Sequence, residues 1–317
     1  MPTIDRVAFT VFGVEIYWYA IIIVIGMIVG VSSILLLAKH KKLNPDDLLD
    51  IILFALPLGI VGARLYYVIT DWDDSWTFAQ IFAIRDGGLA IYGGIIGGLI
   101  TGLVVARIKK MTWQDILAML DIFAVGVIIG QSIGRWGNFV NQEAYGQLIT
   151  NPALQFFPLA VYVHGSWYHA TFFYESMWNL VGYIGLLILN IKKPDWRGIS
   201  CFSYFVYYGL GRAWIEGLRS DSLYFLKNIL GETIRISQAL SIILVIAGIA
   251  CIIAIVKVDK AHPEFNLMGH VPKAQPVLAE ASETTSADAE VPVSEETKEE
   301  EGVALTEEPQ GEEKAEE

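Results

Sequence analysis

Seven stretches of the chain are about 20 residues long and almost free of charge: about 16–38, 48–69, 88–107, 114–133, 171–190, 199–218 and 236–256. Crossing a hydrocarbon layer of roughly 30 Å takes about 20 helical residues. Inside that layer each backbone N–H and C=O must be bonded within the protein, which admits helices or closed barrels. Uninterrupted apolar runs of this length specify helices. The expected fold is therefore an all-α polytopic membrane protein with seven transmembrane helices.

The charges between the runs set the orientation. Lys39, Lys41 and Lys42 follow the first run, and Arg107, Lys109 and Lys110 the third. Lys192, Lys193 and Arg197 follow the fifth, and Lys257 and Lys260 the seventh. Basic loops stay in the cytoplasm, so the N-terminus is expected outside and the C-terminus in the cytoplasm. The outer connections are then about 70–87, 134–170 and 219–235. The middle one is longest and carries Tyr162, Trp167 and Tyr168, aromatics suited to a bilayer interface. It is expected to form a small extracytoplasmic cap on a membrane domain of residues 1–260.

Net charge, −12 overall, is a property of the tail. Residues 274–317 hold 15 acids and two bases, which leaves 19 acids and 20 bases elsewhere, a balance of +1. Nothing in that balance points to nucleic acid. The tail is rich in Glu, Ala, Pro, Ser and Thr and too polar to bury a core, so 261–317 is expected to be a disordered acidic cytoplasmic segment. Cys201 and Cys251 lie in apolar runs without a CxxC partner or a His cluster, so neither a disulfide nor a metal site is expected. Residues 1–14 lack the basic start of a cleavable signal peptide, and the first apolar run is too long for a signal core.

Gly94, Gly98 and Gly102 recur every four residues in the third run, as do Gly126, Gly130 and Gly134 in the fourth. Such stripes let helix backbones touch in lipid, and the two runs are expected to be neighbours. Other residues do not fit a lipid-facing helix. Directly after the fourth run comes Gly134-Arg135-Trp136-Gly137-Asn138-Phe139-Val140-Asn141-Gln142-Glu143-Ala144-Tyr145-Gly146. A helix cap followed by a surface turn would explain one such polar group. An arginine, two carboxamides and a carboxylate together at a membrane edge mark a substrate site.

Arg64 lies deep in the second run, where an arginine costs about 2.5–3.5 kcal/mol on insertion scales. It needs an inward-facing partner, and Asp121 and Glu175 are candidates. Arg212, Glu216 and Arg219 are spaced i, i+4, i+7 at the outer end of the sixth run and share one helical face. Tyr92 sits one turn inside the third run among glycines, and Tyr19 near the outer end of the first. Arg64, Arg135 and Arg212 are thus expected to converge on the outer half of a bundle. Arginine suits planar, bidentate phosphate recognition, and a phosphate inside a membrane belongs to a lipid.

These residues resemble the prolipoprotein diacylglyceryl transferase family. The 134–146 run matches that family's signature at Gly134, Arg135, Gly137, Asn138, Phe139, Asn141, Glu143 and Gly146. Further matching blocks occur in order: Trp18-Tyr19-Ala20, Gly62-Ala63-Arg64, Gly87-Gly88 with Tyr92-Gly93-Gly94, Tyr174-Glu175-Ser176, Gly211-Arg212 with Glu216 and Arg219, and Ser237-Gln238. The resemblance covers about residues 10–257.

It implies a bacterial inner-membrane enzyme that needs no cofactor. Its partners would be membrane lipids, phosphatidylglycerol among them, and the lipobox peptides of preprolipoproteins. Diacylglycerol would pass from phosphatidylglycerol to the lipobox cysteine, releasing glycerol 1-phosphate. On that basis Arg135 and Arg212 are expected to hold the phosphate, Asn138, Asn141 and Glu143 to order the headgroup and loop, and Glu216 to orient Arg212. Tyr19, Arg64, Gly146, Glu175 and Arg219 complete the expected substrate site.

The thiol base stays open between Tyr92, His169 and none, a positive field alone raising the thiolate fraction in the last case. Many relatives have His where Tyr92 stands, and a phenol, with an ordinary pKa of about 10, is a poor base unless an arginine lowers it. His169 matches a family His just before the fifth run. Val125 and Ala170 replace prolines common in relatives, which bears on helix geometry rather than chemistry. Two rival functions are weaker. A transporter of lipids or anionic solutes would show inverted repeats, which the two halves lack. A metal-dependent phosphatidyl transferase would need clustered acids on facing helices, and the runs offer scattered ones.

Overall fold

An antiparallel hairpin of β1 (Val7–Val11) and β2 (Val14–Tyr17) runs directly into α1 (Trp18–Ala38). Then come α2 (Pro45–Thr70), the single turn α3 (Phe78–Ile81), α4 (Ile91–Ile108) and α5 (Trp113–Asn141). A second hairpin, β3 (Ala160–Val163) with β4 (Ser166–His169), precedes α6 (Thr171–Lys192) and α7 (Ile199–Ile215). A short pair, β5 (Tyr224–Leu226) with β6 (Ile234–Arg235), leads into α8 (Ile236–Ala261). The computed structural model describes residues 5–72, 76–83, 87–163, 165–219, 224–226 and 234–269, and for 224–226 and 234–237 the backbone alone. The acidic tail lies, from residue 270 on, outside the described residues.

The protein is a helical, polytopic membrane protein. Among the described residues six helices are long and apolar enough to cross a bilayer: α1, α2, α4, α5, α6 and the Gln238–Ala261 part of α8. α7, the sixth of the seven expected spans, has 17 residues and is not among them. It sits at the lower edge of the roughly 17–25 residues that span, and a 3-10 turn, Glu216–Leu218, takes over where the run was expected to stay α-helical.

Local sequence explains the helix ends. α2 begins at Pro45, with the Asn44 side chain accepting from the Asp46 N–H at 3.1 Å. α5 opens on a reciprocal cap, in which the Asp115 N–H donates to Thr112 Oγ1 and the Thr112 N–H to Asp115 Oδ2. It does not stop at 133. Two further turns carry it to Asn141, where Gln142 turns left-handed with φ 54° and the Glu143 N–H donates to the Asn138 carbonyl at 3.0 Å. The polar run expected in an outer loop is thus mostly the last two turns of a helix.

The glycine stripes pack, but not on each other. α4 pairs with α2 and α5 with α1. A β-carbon at Gly62 would stand 2.6 Å from the Gly93 carbonyl oxygen, and one at Gly30 2.7 Å from that of Gly126. Backbone contact this close admits only glycine. The expected third-to-fourth-run contact is therefore replaced by two separate glycine-lined pairs.

At the lysine-rich end the pairs share one core of Ile34, Leu37, Leu48, Ile51, Ala106, Ile122 and Val125. A buried latch closes it. Lys41 Nζ lies 3.1 Å from Asp121 Oδ2, with the side chains 1% and 0% exposed. Lys41 also donates to the Trp196 carbonyl, and Asp121 accepts from the Gly198 and Cys201 N–H groups, each at 2.9 Å. Asp121 is thus the partner of Lys41 and not of Arg64. Burial pushes the Lys41 ammonium below its ordinary range, against the opposing pull of Asp121. Beyond Ala261 the chain returns to this end, where Leu267 is buried against Ile199 and Ile255.

Candidate active site

The opposite end gathers the charges. Glu175, near the start of α6 and 4% exposed, is met by arginines from three segments. Arg135 Nη2, from the last turns of α5, lies 2.5 Å from Glu175 Oε2. Arg212 Nη1, from α7, lies 3.2 Å from Oε1, and Arg219 Nη1 3.7 Å from the same oxygen. Arg212 also donates through Nη2 to Glu216 Oε2 at 2.9 Å, the expected i, i+4 contact. Arg219 reaches the cluster differently. The helix has ended by then, Arg219 is extended, and it bridges antiparallel to Gly146.

Among the described residues Arg135, Arg212 and Arg219 face Glu175 and Glu216, and the arginine side chains keep 23%, 18% and 14% of their surface. The cluster is therefore rich in cations and reachable. Serines hold its floor: Ser132 Oγ donates to the Ser176 carbonyl at 2.8 Å, and Trp136 Nε1 to Ser176 Oγ at 3.1 Å. These contacts fix α5 to α6 within a turn of Arg135 and Glu175.

A second group lies one turn further along α5. Asn138 Nδ2 and Asn141 Nδ2 donate to Glu143 Oε1 at 3.2 and 3.1 Å. Tyr19 packs on this stretch, since a β-carbon at Gly137 would stand 2.6 Å from its ring. Gly146 is where three strands of chain cross. Its N–H donates to the His169 carbonyl at 2.8 Å, and a β-carbon there would stand 2.7 Å from the Leu218 carbonyl oxygen and 2.8 Å from His169 Cβ. Gly146 thereby sets both His169 and the segment that carries Arg219.

His169 Nδ1 is 3.3 Å from Tyr174 Oη, and that hydroxyl donates to the Leu159 carbonyl at 2.7 Å. With the phenol proton so placed, a neutral His169 donates through Nδ1 and carries its acceptor at Nε2. The cap beneath has its own small core of Val161, Val163, Ala170 and Phe172, with Trp136, Phe139 and Tyr168 packed against it.

Arg64 makes its contacts elsewhere. Its guanidinium donates to the carbonyls of Ile81 at 2.9 Å, Gly87 at 2.7 Å, Gly88 at 2.9 Å and Gln80. It lies over the rings of Tyr67 and Trp76, 5.5 and 5.8 Å from their centroids. Carbonyls therefore take the place of the carboxylate partner expected from sequence, and Arg219 is the third arginine beside Arg135 and Arg212. Tyr92 is half-exposed on α4, its ring 6.3 Å from that of Tyr66. Sequence reasoning missed Arg6, whose Nη2 donates to the Asn141 carbonyl at 2.8 Å. A single arginine before the first run carries no signal for such a contact.

The model of the prolipoprotein diacylglyceryl transferase family matches residues 6–254. The chain is 42% identical over 261 residues to a phosphatidylglycerol–prolipoprotein diacylglyceryl transferase 1 of Clostridium perfringens, covering 81% of this chain and 96% of that one. It is 44% identical over 246 residues to the phosphatidylglycerol–prolipoprotein diacylglyceryl transferase of Finegoldia magna, covering 77% and 93%. For that of Streptococcus pneumoniae (strain JJA) the identity is 45% over 256 residues, covering 79% and 94%. The match takes in every residue of the arginine cluster, and the chain belongs to the prolipoprotein diacylglyceryl transferase family.

Proposed function

We propose that this chain transfers the diacylglyceryl group of phosphatidylglycerol to the lipobox cysteine of preprolipoproteins, as the first step of lipoprotein maturation in the bacterial inner membrane. One observation carries the mechanism: guanidinium groups from α5, α7 and the segment after it converge on one buried carboxylate. In this reading α7 is a seventh span, the basic loops face the cytoplasm, and the site opens outward.

The reaction forms a C–S bond at the glycerol carbon that carries the phosphate and breaks the C–O bond there. The thiol proton goes to a base, and glycerol 1-phosphate leaves with one more negative charge than the diester had. Cations already set against the phosphate oxygens act most strongly as that charge builds, which lowers the barrier. Among the described residues the one partner of Arg135 is Glu175, so most of its five N–H groups are available to a phosphate. Arg212 is held on two sides, by Glu175 and Glu216, and approaches the same phosphate in a fixed orientation. Glu175 keeps like charges together that would otherwise separate. Asn138, Asn141 and Glu143 offer donors and an acceptor to the glycerol hydroxyls.

A cysteine with a pKa of about 8.5 is only a few per cent thiolate at neutral pH, so a base is needed. His169 suits this role, because its Nε2 is left as an acceptor. Among the described residues Tyr92 has no such arrangement: Arg64 stacks on Tyr67 and Trp76. The test is mass spectrometry of a lipobox peptide incubated with the purified protein and phosphatidylglycerol. The peptide gains one diacylglyceryl group on its cysteine. An unmodified peptide in the presence of folded protein overturns the assignment.

A further inference from the structure

We propose that the β1–β2 hairpin is a membrane anchor. Its apolar face and its tip enter the headgroup region beside α1, and its base is tied to the end of α5. The cross-strand register places Val11 opposite Val14, Phe9 opposite Ile16 and Thr10 opposite Glu15. Side chains alternate along a strand, so Phe9, Val11, Val14 and Ile16 share one face. Thr10, Glu15 and Tyr17 share the other, where Tyr17 Oη donates to Glu15 Oε2 at 2.8 Å.

Among the described residues little packs on the apolar face. Phe9, Val11 and Val14 are 53%, 42% and 42% exposed, and Phe12, left-handed at the turn with φ 49°, is fully exposed. A two-stranded hairpin is marginal in water, and turns that face water favour small polar residues. An uncovered apolar surface of this kind marks an interaction site.

Continuity identifies what covers it. β2 passes into α1 without an intervening residue. Trp18 and Tyr19, aromatics of the kind that sit at headgroup level, are exposed at that junction, and Val24, Ile25 and Ile28 are exposed on the turns that follow. The hairpin's apolar face is thus an extension of the lipid-facing surface of α1. Its base is not free to swing. Arg6 Nη2 donates to the Asn141 carbonyl at 2.8 Å, and the Trp18 N–H donates to the Arg6 carbonyl at 3.1 Å. Bilayer surface, hairpin, α1 and the Asn138–Glu143 group form one connected unit, with Tyr19 against Gly137 inside it. The hairpin would therefore fix the depth of that group relative to lipid headgroups.

The test uses the full chain with Cys201→Ser and Cys251→Ser, reconstituted into phosphatidylglycerol–phosphatidylcholine vesicles. Single cysteines from Phe12→Cys, Val11→Cys and Thr10→Cys carry an environment-sensitive fluorophore, and Val24→Cys on α1 is the control for reconstitution. Labels at 11 and 12 are quenched by shallow nitroxide lipids and protected from aqueous iodide, whereas the label at 10 shows the reverse. If iodide reaches 11 and 12 as readily as 10 while the label at 24 is quenched by lipid, the hairpin stands in water and the proposal fails. Labels at 11 and 12 shielded from both quenchers would mean that protein covers the face, either a second copy or a substrate polypeptide, and would also overturn it.

Discussion

Glu175→Gln keeps the shape of the side chain and removes the charge on which three arginines rest. Its consequence can be worked from the geometry. The carboxylate is 4% exposed and receives Arg135 at 2.5 Å and Arg212 at 3.2 Å, with Arg219 further out at 3.7 Å. A hydrogen bond to a charged group contributes about 1.5–3 kcal/mol. The arginines are partly open to solvent, so each of the two close contacts is discounted to about 1–2 kcal/mol. Their combined loss is about 2–4 kcal/mol, with Arg219 adding little. If the carboxylate holds the guanidinium groups ready for phosphate, that energy is lost from the transition state. At about 1.4 kcal/mol per decade, kcat/KM for peptide modification falls roughly 30- to 1,000-fold. The assay is transfer from phosphatidylglycerol to a fluorescent lipobox peptide, with thermal unfolding of the same sample as the control for folding. Activity within threefold of the wild type refutes the reasoning. So does a lower KM for lipid, which would mean that Glu175 competes with the phosphate instead of preparing its site.

Three other expectations follow from particular contacts. Lys41→Met or Asp121→Asn leaves a buried group without its partner and costs about 3–5 kcal/mol; thermal unfolding reads this as a lowered midpoint, and Lys41→Met together with Asp121→Leu costs less than the two single changes added. If His169 takes the thiol proton, the acid limb of the pH–rate profile disappears in His169→Gln and survives in Tyr92→Phe, and the reverse pattern assigns the base to Tyr92. Hydrogen bonds that Lys109 donates to Asp50 and Asp47 hold its ammonium above its ordinary range. The stability it contributes is thus fully present below about pH 10.4 and lost as pH rises through the raised value, and alkaline unfolding of Lys109→Met lacks that loss.

That the chain is a helical, polytopic membrane protein was legible because apolar run length is set by bilayer thickness and needs no tertiary information. Helix partners were not. Glycines spaced for close packing occur in four runs, including Gly26 with Gly30 and Gly59 with Gly62, and spacing alone does not say which two backbones meet. The end of α5 was misplaced because Arg135, Asn138 and Asn141 look like loop residues. They remain helical since their side chains find partners at the membrane edge, in Glu175 for the arginine and Glu143 for the two carboxamides. Arg212 with Glu216 was readable from i, i+4 spacing, whereas the place of Arg219 depends on a break in the helix and a bridge to Gly146. Asp121 found its partner in a loop lysine 80 residues away, a separation that local pattern cannot resolve. The β1–β2 hairpin was not read from the sequence, because its apolar alternation is short and a register shift between Val7 and Phe9 breaks the period of two.

In the proposed mechanism Arg135 and Arg212 together act on the phosphate of the lipid donor. Its most direct test is the rate of cysteine modification in a lipobox peptide by Arg135→Ala and Arg212→Ala, in vesicles where phosphatidylglycerol is the only phosphate-bearing donor. Each variant is expected to remain folded, bind peptide and lose nearly all transfer. Near-normal rates from either one would contradict the account.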